Sequence, residues 1–146
     1  MDPVPIRAHN LLCLLGYRGK GYDAAFVERM SEVHRLLHAD PGTPVQVLVR
    51  PDRLCDACPH LRTDGCSLGG PRHEAHMRAQ DLDVARRLGL EEGQVLPWRD
   101  VLDRVARHVR GSDLPTICTT CPWLGLGWCA EGIERTRADR TETAPP

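Results

Sequence analysis

"CDACPHLRTDGC", Cys55 to Cys66, and "CTTCPWLGLGWC", Cys118 to Cys129, are one phrase written twice. Aligned on their cysteines they share C-x2-C-P-x-L-x4-C, so that Cys55, Cys58, Pro59, Leu61 and Cys66 correspond to Cys118, Cys121, Pro122, Leu124 and Cys129. Two cysteines separated by two residues turn both sulfurs toward one metal while backbone N–H groups point at the thiolates, and the third cysteine closes the loop. Soft thiolates select zinc, copper(I) or iron-sulfur clusters. Proline beside a ligand removes an N–H and stiffens φ, which preorganises the loop. The repeat therefore predicts two cysteine-rich metal-binding loops.

The rest of the chain is consistent with a fold that draws stability from a metal. At 146 residues it makes one domain. Its core is thin in large side chains, with one Phe, two Tyr and three Trp, and the 41% hydrophobic fraction leans on Ala, Leu, Val and Cys. Bound metal supplies folding free energy in such cases. A formal charge of -1, from 19 basic and 20 acidic residues spread along the chain, gives no footprint for nucleic acid or an anionic membrane. The longest apolar run, "LLCLL" at Leu11 to Leu15, is too short to span a membrane and lacks the flanks of a signal peptide. The expected location is cytoplasmic. In a reducing compartment seven cysteines read as ligands rather than disulfides, and an odd number does not pair completely.

Outside the cysteine segments, "RAHNLLCLLGY" reads as a short buried helix from Arg7 to Tyr17, stopped by Gly16. An amphipathic helix follows, with Asp23 as N-cap and Phe26, Met30, Val33 and Leu37 on one face. "DPGTP" breaks it, and "VQVLV" at Val45 to Val49 has the composition of a strand whose partner the sequence does not locate. Helices are expected from Arg72 to Leu88, closed by Gly89, and from Pro97 to Val109, with Trp98, Val101, Leu102, Val105 and Val109 on one side. "RTRADRTETAPP" lacks apolar period and is expected to form a flexible polar tail over 135–146. The predicted fold class is thus α+β: a small, mostly helical domain over 1–134 with a minor β element and two cysteine-rich loops.

The ligand arithmetic narrows the metal. A four-cysteine zinc site from Cys55, Cys58, Cys118 and Cys121 strands Cys66 and Cys129 at matching positions. A two-zinc, six-cysteine cluster keeps its half-motifs close in sequence, unlike these. An iron-sulfur cluster takes four ligands, often three from one loop and one from elsewhere, and Cys13 is available as that one. Two loops of three plus Cys13 give one complete cluster and a second short of a ligand, or one cluster drawing on both loops.

"RAHNLLCLLGYRGKGYDAAFVERM", then "CDACP", a single Cys and C-x2-C-x-W, resembles a family of small bacterial and archaeal proteins known as domain of unknown function 1284. Members open with Arg-x-His-His-x-x-Cys-Leu and a Gly-Lys-Gly-Tyr turn, carry CxxCP and end near CxxC-x-Trp. The resemblance spans about Arg7 to Cys129. It implies iron-sulfur binding, for which a 4Fe-4S cluster is the expected type, through Cys13, Cys55, Cys58, Cys66, Cys118, Cys121 and Cys129. Two departures stand out: Asn10 replaces a usual second His, and Leu88 opens "LGL" where relatives often have Cys-Gly-Leu.

The remaining motifs read as ordinary structure. His9 lies one turn before Cys13 and could share its metal, though a His there more often packs or caps. His60 reads as a loop residue, "HEAH" at His73 to His76 is not the zinc-protease spacing, and His34 with His38 lack a third ligand nearby. "GYRGKGY", around the sole lysine Lys20, lacks the phosphate-loop pattern. Trp123 and Trp128 are expected to shield the second loop from water. The expected function is iron-sulfur cluster binding for electron transfer or redox sensing, with a redox protein as partner. A structural zinc module is the alternative. An enzyme with an open iron site near Lys20, Tyr22 or His9 is less supported, since no carboxylate pair or nucleophile-base motif accompanies it.

Overall fold

The computed structural model describes residues 2–19, 24–50, 52, 61–62, 65–66, 73–118 and 127–143. Its elements are β1 (Val4–Arg7), α1 (Ala8–Gly16), α2 (Ala24–Ala39), β2 (Pro44–Leu48), β3 (Leu61–Arg62), β4 (Gly65–Cys66), α3 (His73–Leu88), β5 (Val95–Pro97), α4 (Trp98–His108), α5 (Leu114–Ile117) and α6 (Trp128–Thr143), with a 3-10 turn at Gly111–Asp113. The protein is α+β and mostly helical, with one small sheet and a separate short hairpin.

The expected strand is the centre of that sheet. β1 runs parallel to β2 with Val4 opposite Val45 and Arg7 opposite Leu48, and β5 runs antiparallel on the other side with Leu96 opposite Val45. β1 reads poorly as a strand because Pro5 interrupts it, but as an edge strand it tolerates a residue that cannot donate to the ladder. The first helix accordingly begins at Ala8 rather than Arg7. Val45 and Val47 of β2 are fully buried and Gln46 between them is half-buried, the alternation of a strand with one face on the core.

Helices close over that face. The four apolar positions anticipated on α2, Phe26, Met30, Val33 and Leu37, are its buried residues, and Trp98, Val101 and Val105 are those of α4. α1 is buried at Leu11, Leu12 and Leu14 in the same core, which Val84 and Leu88 of α3 and Ile133 of α6 complete. Arginines from later helices finish earlier ones. Arg104 donates to the Leu88 and Gly89 carbonyls at 3.0 and 2.9 Å, and Arg137 donates to Ala106 and Val109 at 3.2 Å each. These carbonyls belong to helix ends that have no intrahelical partner.

Where the sequence predicts a flexible tail from residue 135, α6 continues through Thr143. Its polar residues hold it down: besides Arg137 on the end of α4, Arg140 Nε lies 3.3 Å from Asp103. No helix among the described residues is long and apolar enough to cross a membrane.

Candidate functional site

The site is built on α1, and a single arginine organises its first half. Arg7, the last residue of β1, is 1% exposed. Its Nε donates to Asp81 Oδ2 at 2.7 Å, and its two terminal nitrogens grip Glu74 at 3.1 and 2.7 Å. Its backbone N–H donates to Asp52 Oδ2 at 2.7 Å, and Asn10 donates to the same oxygen at 3.0 Å. Two parallel bonds to one carboxylate are the strongest geometry a guanidinium offers. Asp52 stands just before the first cysteine segment and Glu74 just after it, so both ends of that segment are tied to Arg7 at the start of α1.

Asp81 is fully buried on α3 and accepts from three groups: Arg7 Nε, the His9 backbone N–H at 3.0 Å, and the His9 ring Nδ1 at 2.7 Å. A carboxylate already occupied by a guanidinium and an amide accepts rather than donates, so Nδ1 of the imidazole donates to it and Nε2 is the nitrogen this contact leaves uncommitted. His9 is 13% exposed, and Nε2 has no hydrogen-bond partner among the described residues.

The second cysteine segment meets the other end of α1. Gly16 lies so close to α6 that a Cβ there would fall 2.4 Å from the Cys129 Cα, and a Cβ on Gly132 would fall 2.1 Å from the Leu15 carbonyl oxygen. Two glycines thus permit a crossing no other residue allows, and it sets Cys129, in the first turn of α6, beside Cys13. Both cysteines line one small cavity of about 30 Å³ with Gly16, Tyr17, Phe26, Met30 and Trp128. Arg18 also lines it, sits 5.4 Å from the Trp128 ring centre and pairs with Glu131.

The structure therefore brings Cys13 and Cys129 together. Cys118 is buried at the end of α5, where the second segment departs, with its N–H bonded to the Leu114 carbonyl at 2.7 Å. Cys66 is on β4, paired across the hairpin with Leu61. Cys55, Cys58 and Cys121 lie outside the described residues, as do Lys20, Tyr22, Asp23, His60 and Trp123. Among the described residues no group of three or more His, Cys, Asp or Glu side chains is gathered for a metal. Trp128 lines the cavity that Cys13 and Cys129 border.

Sequence reasoning passed over Asp81, Glu74 and Asp52. One signal was available. On α3 the positions Met77, Asp81, Val84 and Leu88 follow the spacing of an apolar stripe, and a carboxylate in such a stripe needs a buried partner.

A larger cavity of about 290 Å³ lies elsewhere in the helical layer, with Leu14, Leu37, Trp98 and Leu102 in its lining and His34, His38 and Arg135 at its edge. The two imidazoles stack with ring centres 4.5 Å apart, and Tyr17 tilts onto His34 at 5.6 Å. Burial, and then the neighbouring His38, hold the His34 imidazole below its ordinary value of 6.5.

A family model described as "Protein of unknown function (DUF1284)" matches residues 21–127, a span that contains Cys55, Cys58, Cys66, Cys118 and Cys121 and stops short of Cys13 and Cys129. No curated protein and no solved structure matches the chain. The match takes in most of the sequence, including the five cysteines between those two limits, and on that extent the chain belongs to the DUF1284 family of proteins of unknown function.

Proposed function

We propose that the protein binds an iron-sulfur cluster through its cysteines and uses it in electron transfer or redox sensing. The observation that carries this reading is the meeting of Cys13 and Cys129, far apart in sequence, in one cavity at the helix to which both cysteine segments are tethered. The donor set fits a thiolate-bound group: Cys13, Cys66, Cys118 and Cys129 from the described residues, with Cys55, Cys58 and Cys121 completing the two repeats.

Such a group supplies one-electron chemistry with little rearrangement. The chain's own contributions are separable. Cys13 and Cys129 hold, Phe26, Met30 and Trp128 keep water from one wall, and Arg18 with the amino end of α6 offsets thiolate charge. A small redox protein is the fitting partner class, and the cytoplasm is the fitting compartment for reduced thiols.

The test is iron, zinc and acid-labile sulfide per chain, with a visible spectrum, on protein purified without oxygen. Brown protein with matched iron and sulfide is expected, about four irons for one cluster or about eight for two. Colourless protein with one or two zincs and no sulfide would overturn the redox reading in favour of structural zinc. Cys13→Ser and Cys129→Ser are each expected to lower iron and sulfide together, because both residues line the same cavity.

A further inference from the structure

We propose that His9 is a nitrogen ligand, through Nε2, of a metal group held by the cysteines, so that its ligand set mixes imidazole and thiolate. The proposal rests on the metal-binding reading above and extends it to a residue outside the cysteine repeats.

Four observations converge. His9 precedes Cys13 by one turn of α1, and side chains at that spacing are neighbours on one face, with Cβ atoms about 5–6 Å apart. Its Nδ1 is engaged by Asp81 at 2.7 Å, which fixes the ring orientation and leaves Nε2 with no hydrogen-bond partner among the described residues. A carboxylate on the far nitrogen is the usual support of a metal-bound imidazole, because it orients the ring and raises its basicity.

The surroundings of Asp81 are the third observation. A 0% exposed carboxylate beside a 1% exposed guanidinium is a costly arrangement, and a His that merely packs against a helix does not need it. Here the pair builds a rigid seat for one ring, since Asp81 takes both the His9 backbone N–H and the ring nitrogen on the same oxygen. The fourth is placement. Asp52 bonds to Arg7 and Asn10, which stand on either side of His9 in the chain, and in sequence it precedes Cys55 by three residues. His9 thus stands between the departure point of the first cysteine segment and Cys13, which borders the second. Seven cysteines and one imidazole also make eight donors, the number that two four-ligand sites require.

A catalytic alternative is disfavoured by the same geometry. A Cys–His–Asp arrangement for nucleophilic chemistry needs the imidazole in hydrogen-bond reach of the thiol, and among the described residues the hydrogen bond of the His9 ring goes to Asp81.

The test uses the whole chain, expressed with 15N-labelled or unlabelled histidine, purified without oxygen and reduced with dithionite; colourless protein is loaded with cobalt(II) instead. Pulsed electron paramagnetic resonance reads nitrogen coupled directly to the paramagnetic metal. The expected result is a strong nitrogen coupling that changes with the isotope, disappears in His9→Cys and His9→Gln, and leaves metal content unchanged in His9→Cys. For an iron-sulfur centre, His9→Cys is also expected to shift the midpoint potential downward, because thiolate in place of imidazole stabilises the oxidised state. A metal-loaded wild-type protein with no histidine coupling overturns the proposal and leaves the thiolate-metal reading standing, as does a coupling that survives in either variant. A chain that binds no metal overturns both.

Discussion

Asp81 accepts three hydrogen bonds with no surface open to solvent, so its energetics are governed by what happens when a partner is lost. Breaking a buried ion pair from one side leaves an uncompensated charge and costs about 3–5 kcal/mol. Arg7→Met is therefore expected to lower unfolding free energy by about that amount in a urea titration. The double variant Arg7→Met with Asp81→Leu should recover part of the loss, whereas no recovery would mean that the Arg7 side chain acts mainly through Glu74. His34 makes a second prediction. Its folded value lies below the unfolded 6.5, so below neutrality the unfolded chain takes up a proton that the folded chain resists. Stability is complete above 6.5, falls as pH drops from there through the lowered folded value, and levels off beneath it. Thermal midpoints between pH 7.5 and 5 should fall less steeply in His34→Gln; identical slopes would exclude His34 as the source. Residues of this kind were the least legible in sequence. Charged side chains on a polar helix read as solvated, and only the place of Asp81 in the Met77, Val84, Leu88 stripe sets it apart.

Helices α1 and α6 meet through two missing side chains. A Cβ on Gly132 would sit 2.1 Å from the Leu15 carbonyl oxygen, and backbone cannot move aside as a flexible side chain can. Gly132→Ala is expected to destabilise the fold by at least about 1–3 kcal/mol, the usual range for overpacking. It should also reduce the metal content of purified protein, because it pushes Cys129 away from Cys13. Unchanged stability would show that the helices cross less tightly. The periodic parts of the chain were readable at this scale: α2, α3 and α4 lie within two residues of their predicted limits, since apolar spacing reflects the buried face directly. α6 was not readable past Ile133. It is held by Arg137 and Arg140, whose contacts leave no apolar rhythm in the sequence.

Across the molecule, one sheet and its covering helices share a continuous apolar core drawn mainly from their own aliphatic side chains, with Cys118 buried in it and Cys13 and Cys129 packed against it. The protein should accordingly differ from small metal-folded domains, which unfold when stripped. Treatment with a strong chelator is expected to remove metal yet preserve the helical circular dichroism and a cooperative melt; collapse of both would show that the core alone is insufficient. The α+β class was legible from one β-branched run among amphipathic helices, but β1 and β5 were not, because a proline-containing tetrapeptide and a three-residue strand carry too little pattern. The cysteine repeat is visible in the sequence itself, whereas the platform of Arg7, His9, Asp52, Glu74 and Asp81 needed three dimensions. That platform has a topological consequence. With Asp52 and Glu74 both bound to Arg7, the chain between them is a ring closed without a covalent link, and the closure entropy, about 3 kcal/mol for ~20 residues, is met at the neck whether or not metal is present. A single proteolytic cut within 53–72 should then yield two polypeptides that separate in denaturant but travel as one particle in native buffer.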